Sequence, residues 1–453
     1  MATAAERFAG FALELDLDAV PDEVVEAAKL HVLDVIGCGL AAHGLGIAGE
    51  GRETMTELGG TAEATVIGLD VRLPAPNAAF ANAMLCHGLD FDDTHSDSVA
   101  HVSTVVVPGA AALAEARGAS GRELLTAIIA GNEIVTRIGM ATPGAFHKRG
   151  FHPTAICGIF GATAAAARLG GLDAEQATSA LGIAGSMASG LFAYLDDATA
   201  TKPIHPAWAA HGALLACRLA AHGAEGPPGV LEGRFGVFHA FVDTRIDLEP
   251  QLADLGSRWE TPRIAYKAFP ACHFIHGSLG ATGTLADDLD PDEIEDVLVS
   301  IPEAGVSLVL EPADRKIAPR TDYEGKFSLQ YSTAAMLVHG RVGLTTYTPE
   351  ALADERVLEL TRKVRYETKE YASYPAAFPG GVRITLKDGS TVEADFPHQL
   401  GAPENPMGAA QVREKFHENA ALAGGSFEAL EQAILTLEEL DDVTGLLCQP
   451  VAV

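Results

Sequence analysis

Two stretches crowded with Gly, Ala and Ser, residues 158–167 and 180–190, most limit what this chain can fold into. Small side chains let helix backbones approach closely, so these stretches predict a compact multi-helix domain with many buried helices. Helix punctuation supports this. Pro21 opens a helix whose apolar residues Val25, Ala28, Val32 and Val35 recur at helical spacing. Asp173 and Gln176 form a capping-box pattern ahead of another. Pro206 begins a third, running to about His222, with Gly223 placed to stop it.

At 453 residues the chain is too long for one core, and 48% apolar residues are ample for more. Its texture changes near residue 265. Segments 296–302 and 381–396 are strand-like, the second with a hairpin turn signal at 387–390. Between them, 328–338 and 350–364 read as helices, the latter led by Thr348 and Pro349. After a turn-rich exit at 401–406, helices resume at 409–422 and 427–440, the last behind Ser426 as its cap. The expected fold is mainly α with α+β: a large all-helical domain formed from both chain ends, 1–265 and 405–453, and a smaller α+β domain, 266–404.

The net charge of −30 argues against nucleic acid and anionic membranes as partners. It also means that an anionic ligand would need local cations. The six cysteines are scattered without a C-x-x-C pair, which fits a reducing cytosol. No signal peptide is visible and no charge-free apolar run reaches membrane-spanning length, so the expected location is cytoplasmic.

The densest polar cluster is 87–95, HGLDFDDTH, which follows an apolar run at 78–85. Charges at the end of a buried helix cost several kcal/mol each unless paired or used. His87, Asp90 and Thr94 fall at i, i+3 and i+7, a helical stripe on which Asp90 could orient an imidazole, ligate a metal or serve a capping network. His101 lies in apolar surroundings that also suit a satisfied core histidine. His152, between Gly150 and Pro153, is fixed at a helix entrance, where capping and ligand binding are both open. Lys202 precedes Pro203, which pushes it towards an extended conformation, and no acidic residue follows before Glu225. It could bind a carboxylate or lie on the surface. The last cluster, 266–276, places Lys267, Cys272, His273 and His276 at the proposed domain junction, with the two histidines on one helix face.

Several ordered motifs together resemble the MmgE/PrpD family of 2-methylcitrate dehydratases, cis-aconitate decarboxylases and iminodisuccinate epimerases. They are Phe80 to Asn82 with 87–94, then 150–154, 201–203 with Ala209, Ala210 and Gly212, 267–276, 326–331 and 405–407. The resemblance implies a homodimer, a lid formed by the α+β domain, a site between the domains, and a reaction needing no metal or organic cofactor. By position, Asp90, Thr94, His101, His152 and Lys202 match family active-site residues, and Lys267 and His276 match the lid-side motif. Two features depart from the family pattern. His101 is followed by Val102 rather than proline, and Cys272 stands where the decarboxylases are expected to carry histidine.

The expected substrate is a small di- or tricarboxylate gripped by Lys202, Lys267 and imidazoles, with Thr94, Cys272 and His276 also in the binding set. Acid–base chemistry beside a carboxylate would use His152 and His101, the latter oriented by Asp90. A 2-methylcitrate-type dehydratase is the leading expectation. A cis-aconitate-type decarboxylase and an iminodisuccinate-type epimerase are the alternatives. More distant are a hydrolase with a metal among His87, Asp92, Asp93, His95 and His101, and a non-catalytic binding protein.

Overall fold

Close helix crossings are built where the small residues lie. In this computed structural model, which describes residues 2–196 and 199–448, the chain forms two units: Met1–Ile264 with Gly408–Val453, and Ala265–Met407. The helices of the first that matter here are α1 (Asp22–Gly44), α2 (Ala75–His87), α3 (Ser103–Arg117), α4 (Gly121–Met140), α5 (Pro153–Gly170), α6 (Ala174–Gly185) and α7 (Ile204–Ala221). Helix α5 is buried along its length from Pro153 to Ala167. A β-carbon at Gly161 would collide with the carbonyl oxygen of Gly131 on α4, and one at Gly158 would lie 2.7 Å from the Val105 side chain on α3. Larger residues would push these helices apart and open cavities between them.

Local signals fix the helix ends. Asp173 accepts from Gln176 N and completes its capping box at the start of α6. Pro21 is the N-cap of α1, and α7 gives way to Gly223, whose φ of 86° suits glycine. The returning helix Ala409–Ala421 packs on α1. This unit is not wholly helical, because β1 (Ala64–Thr65) pairs antiparallel with β2 (Arg72–Leu73). Among the described residues, no single helix is long and apolar enough to cross a membrane.

The second unit holds α8 (His273–Ala286), β3 (Ile294–Ile301), α9 (Leu329–His339), β4 (Val364–Thr368), β5 (Gly380–Leu386) and β6 (Thr391–Phe396). Its sheet has the order β4-β3-β5-β6, with β3 and β4 parallel and the other pairs antiparallel. The β5–β6 hairpin turns through Gly389 at a φ of 85°. Ile275 and Leu279 of α8 join Val297, Val299 and Ile384 of the sheet in one core.

Two expected helices differ. Segment 350–364 is broken: Pro349–Leu352 ends, Asp354 caps Glu355–Thr361 by accepting from Arg356 N, and Val364 already begins β4. Segment 427–440 is helical only over Glu428–Leu435, then tightens into a 3₁₀ turn at Leu437–Glu439. Ser426 does not cap it. Its hydroxyl donates to the Glu428 carboxylate instead.

Candidate active site

Helix α2 ends at His87, and the chain leaves it through a turn in which Asp90 takes a φ of 52°. The helical stripe expected through Asp90 and Thr94 therefore does not exist. The left-handed residue costs of order 1 kcal/mol, and it fans the following side chains in different directions. Asp92 turns to the imidazoles: its oxygens lie 2.8 and 3.0 Å from His87 Nδ1, and one lies 3.1 Å from His101 Nδ1. Asp93 turns away, 2.9 Å from His31 on α1 and accepting from Ser103 N. His95 also turns away, to Glu260 at 3.4 Å. The five residues proposed for a hydrolase metal are thus split, although His87, Asp92 and His101 alone place ligand atoms within 4.8 Å of one another.

Asp90 faces Lys202. Its Oδ1 accepts from Lys202 Nζ at 2.7 Å and lies 3.7 Å from His101 Nε2. One carboxylate oxygen therefore links the ammonium and the imidazole. Lys202 is not extended as Pro203 suggested. It lies in the turn entering α7, where its carbonyl accepts from His205 N. His101 is held through its backbone N–H, which donates to Thr154 Oγ1 at the start of α5, while Thr94 Oγ1 lies 3.4 Å from its Nδ1.

His152 is the N-cap residue of α5, but its side chain caps nothing. Its backbone N–H donates to the Gly190 carbonyl, and its Nδ1 meets His205 Nδ1 at 3.1 Å. That contact needs one nitrogen to donate and the other to accept, so at least one ring is neutral. Ring centroids run 4.6 Å from His87 to His101, 5.8 Å from His87 to His152, 6.3 Å from His101 to His152 and 5.2 Å from His152 to His205. Four imidazoles therefore cluster beside one lysine–aspartate pair. Residue types alone did not single out His205, and they offered His87 and Asp92 only within a possible metal set. The signal for His205 was a histidine isolated in the apolar start of a helix.

Electrostatics follow from burial. Burial pushes His87 down to about 4 against the pull of Asp92, and burial with the Lys202 ammonium pushes His205 to about 4. Burial, then Lys202, carries His152 well below the ordinary histidine range. Burial alone would raise the Asp92 carboxyl, but the two imidazoles beside it hold it well below the usual carboxylate range. The arrangement is a buried carboxylate within 3.1 Å of one ring nitrogen of each of two imidazoles.

In the second unit, Lys267 is buried and Cys272 is the N-cap residue of α8, its N–H donating to the Lys326 carbonyl. His276 is fully buried on α8, its Nε2 3.1 Å from the Ala271 carbonyl, and its ring lies 4.7 Å from that of His273.

Two family models match: the MmgE/PrpD N-terminal domain over residues 6–249 and the MmgE/PrpD C-terminal domain over residues 269–439. The chain belongs to the MmgE/PrpD family. It is 30% identical over 460 residues to the cis-aconitate decarboxylase of Homo sapiens, covering 97% of this chain and 93% of that protein. The cis-aconitate decarboxylase of Aspergillus terreus is 28% identical, covering 96% and 94%. The mitochondrial 2-methylcitrate dehydratase of Yarrowia lipolytica is 24% identical, covering 92% and 84%. Decarboxylases and dehydratases are both lyases, and this chain is an enzyme of that class.

Proposed function

We propose that this enzyme decarboxylates a small unsaturated tricarboxylate of the cis-aconitate type. Chain-long similarity at 30% identity to a decarboxylase, against 24% to a dehydratase, supports decarboxylation over the dehydration expected from sequence. That expectation leaned on Cys272, a single position, and similarity along the whole chain outweighs it. The geometric observation that carries the reading is Asp90 Oδ1, which joins Lys202 Nζ at 2.7 Å to His101 Nε2 at 3.7 Å. It sets a cation and a proton carrier side by side.

The chemistry then follows from the substrate class. Losing CO₂ from the methylene carboxylate breaks a C–C bond and leaves an electron pair. That pair shifts through the double bond to the carbon beside another carboxylate, where a proton must arrive. Lys202 binds the carboxylate on which negative charge grows, a group worth most when aimed there in a poorly solvated site. His101 delivers the proton, with Asp92 stabilising its imidazolium. His152 and His205 share one N–H across their Nδ1 contact, so while burial keeps both neutral the pair offers the remaining carboxylates one Nε2–H donor, with the Thr94 hydroxyl proposed as a second. Lys267, Cys272 and His276 are proposed as further substrate-binding groups. No step calls for a metal or organic cofactor.

The test is a turnover screen in D₂O by NMR with cis-aconitate, 2-methylcitrate and iminodisuccinate. Release of CO₂ from cis-aconitate supports the reading. Loss of water from 2-methylcitrate without CO₂ would replace it with the dehydratase, and deuterium uptake into iminodisuccinate without net conversion would replace it with the epimerase.

A further inference from the structure

The carboxylate touching His101 most closely is not Asp90. Asp90 Oδ1 is 3.7 Å from His101 Nε2, beyond hydrogen-bond distance, and already receives the Lys202 ammonium at 2.7 Å. Asp92 Oδ2 is 3.1 Å from His101 Nδ1 and the same carboxylate grips His87 Nδ1 at 2.8 Å. Asp92 is fully buried, whereas the His101 side chain keeps about a tenth of its surface open. Two rings thus hang from one carboxylate that solvent does not reach.

We infer that Asp92 is the positioning residue of the site: its carboxylate holds a proton on Nδ1 of both His87 and His101, so that the proton His101 exchanges is the one on Nε2. The inference rests on His101 being the proton carrier proposed above. With the opposite tautomers, each Nδ1 would turn a lone pair towards a carboxylate oxygen about 3 Å away, which is repulsive in a dry site. His87 adds an independent observation. Its Nε2 is buried without a hydrogen-bond partner, and the inferred tautomer makes that orphan a lone pair rather than an N–H donor. His87 also presses on His101 edge-on at 4.6 Å, so one buried ring wedges the other against Asp92. The charged and titratable groups facing His101 are Asp90, Asp92, His87 and His152, with the Lys202 ammonium across Asp90 and His147 in electrostatic reach. Of these, Asp92 alone is a fully buried anion in contact with the Nδ1 side.

Two measurements test this. The first needs no activity: in ¹⁵N-histidine-labelled wild-type enzyme near pH 7.5, ring-nitrogen shifts should report the Nδ1–H tautomer for His87 and His101, assigned by removing each ring in turn (His87→Gln, His101→Gln). An Nε2–H tautomer at His101 overturns the inference. The second is Asp92→Asn, expected to lower kcat at least tenfold with KM changed less than about threefold, because the ring is misoriented rather than the substrate lost. An unchanged kcat overturns the inference. If Asp92→Asn fails to fold, the wild-type tautomers still decide. Nδ1–H tautomers in an enzyme that turns over none of the three carboxylates would sink the proposed function and leave the positioning role standing.

Discussion

Two lysine–aspartate pairs in the first unit have the same 2.7 Å separation and different surroundings. Lys202 and Asp90 each keep 15% of their side chains exposed. Asp90 sits on a turn with φ at 52°, beside four imidazoles. Lys415 and Asp34 are 6% and 0% exposed. Lys415, on the returning helix, also donates to the Phe91 carbonyl at 2.8 Å and lies 3.8 Å over the Phe91 ring. Burial works against its ammonium, but Asp34 raises its pKa above the ordinary lysine value. The deep pair ties α1, the returning helix and the backbone before Asp92 together. The shallow pair keeps part of both side chains open. On the proposed function, identical chemistry is an anchor where water is excluded and a handle where it is not.

The sharpest way to break this comparison is to remove each lysine in turn. Lys202→Ala should lower kcat/KM by roughly 10³-fold, about 4 kcal/mol of transition-state binding, with the denaturation midpoint unmoved. Turnover near wild type would show that Lys202 is no handle. Lys415→Met should instead cost about 3–5 kcal/mol of stability, read from urea unfolding, because it strands a carboxylate in a dry interior. Removing its partner as well, Lys415→Met with Asp34→Leu, should recover most of that loss if the pair is an anchor and nothing more. A double variant no more stable than the single one would point to a second role for Asp34.

A smaller effect concerns acid. His87 and His205 are held down to about 4 in the folded enzyme, below an ordinary histidine value of 6.5. Between those values the unfolded chain binds protons that the folded rings refuse, so stability rises with pH in that window. It is fully present above about pH 6.5 and is lost as the pH falls towards 4, by at most about 3 kcal/mol for His87 and by less for the better-solvated His205. His205→Phe should flatten part of that slope in urea titrations at successive pH values. An unchanged slope would mean that His205 titrates normally. Polyanion binding reverses the balance by favouring charged rings, so calorimetry with a non-reacting tricarboxylate in two buffers should register proton uptake.

Sequence legibility followed the range of the forces involved. The small-residue stretches anticipated the α4–α5 crossing at Gly131 and Gly161, and the capping box at Asp173 is a contact between neighbours. The break at Asp354 was hidden because good helix formers flank it on both sides. Strand β4 was hidden because only its parallel partner β3, remote in sequence, defines it. At the site, Asp90 stood out in the densest polar cluster, His101 in apolar surroundings, His152 by its flanking Gly150 and Pro153, and Lys202 as a cation without acidic neighbours downstream, and the fold brings them together. The sequence could not tell which of three aspartates faces which ring. One left-handed residue decides that, and residue types carry no trace of it. Cys272, a single departure from a motif, weighed against decarboxylation, while similarity along the whole chain weighs for it.

The most direct test follows one atom. In D₂O, cis-aconitate should yield one CO₂ and one deuteron at the carbon beside a carboxylate per turnover, with both lost together in His101→Asn and in Lys202→Ala. CO₂ released at the wild-type rate by either variant, or no CO₂ from the wild-type enzyme, would contradict the account.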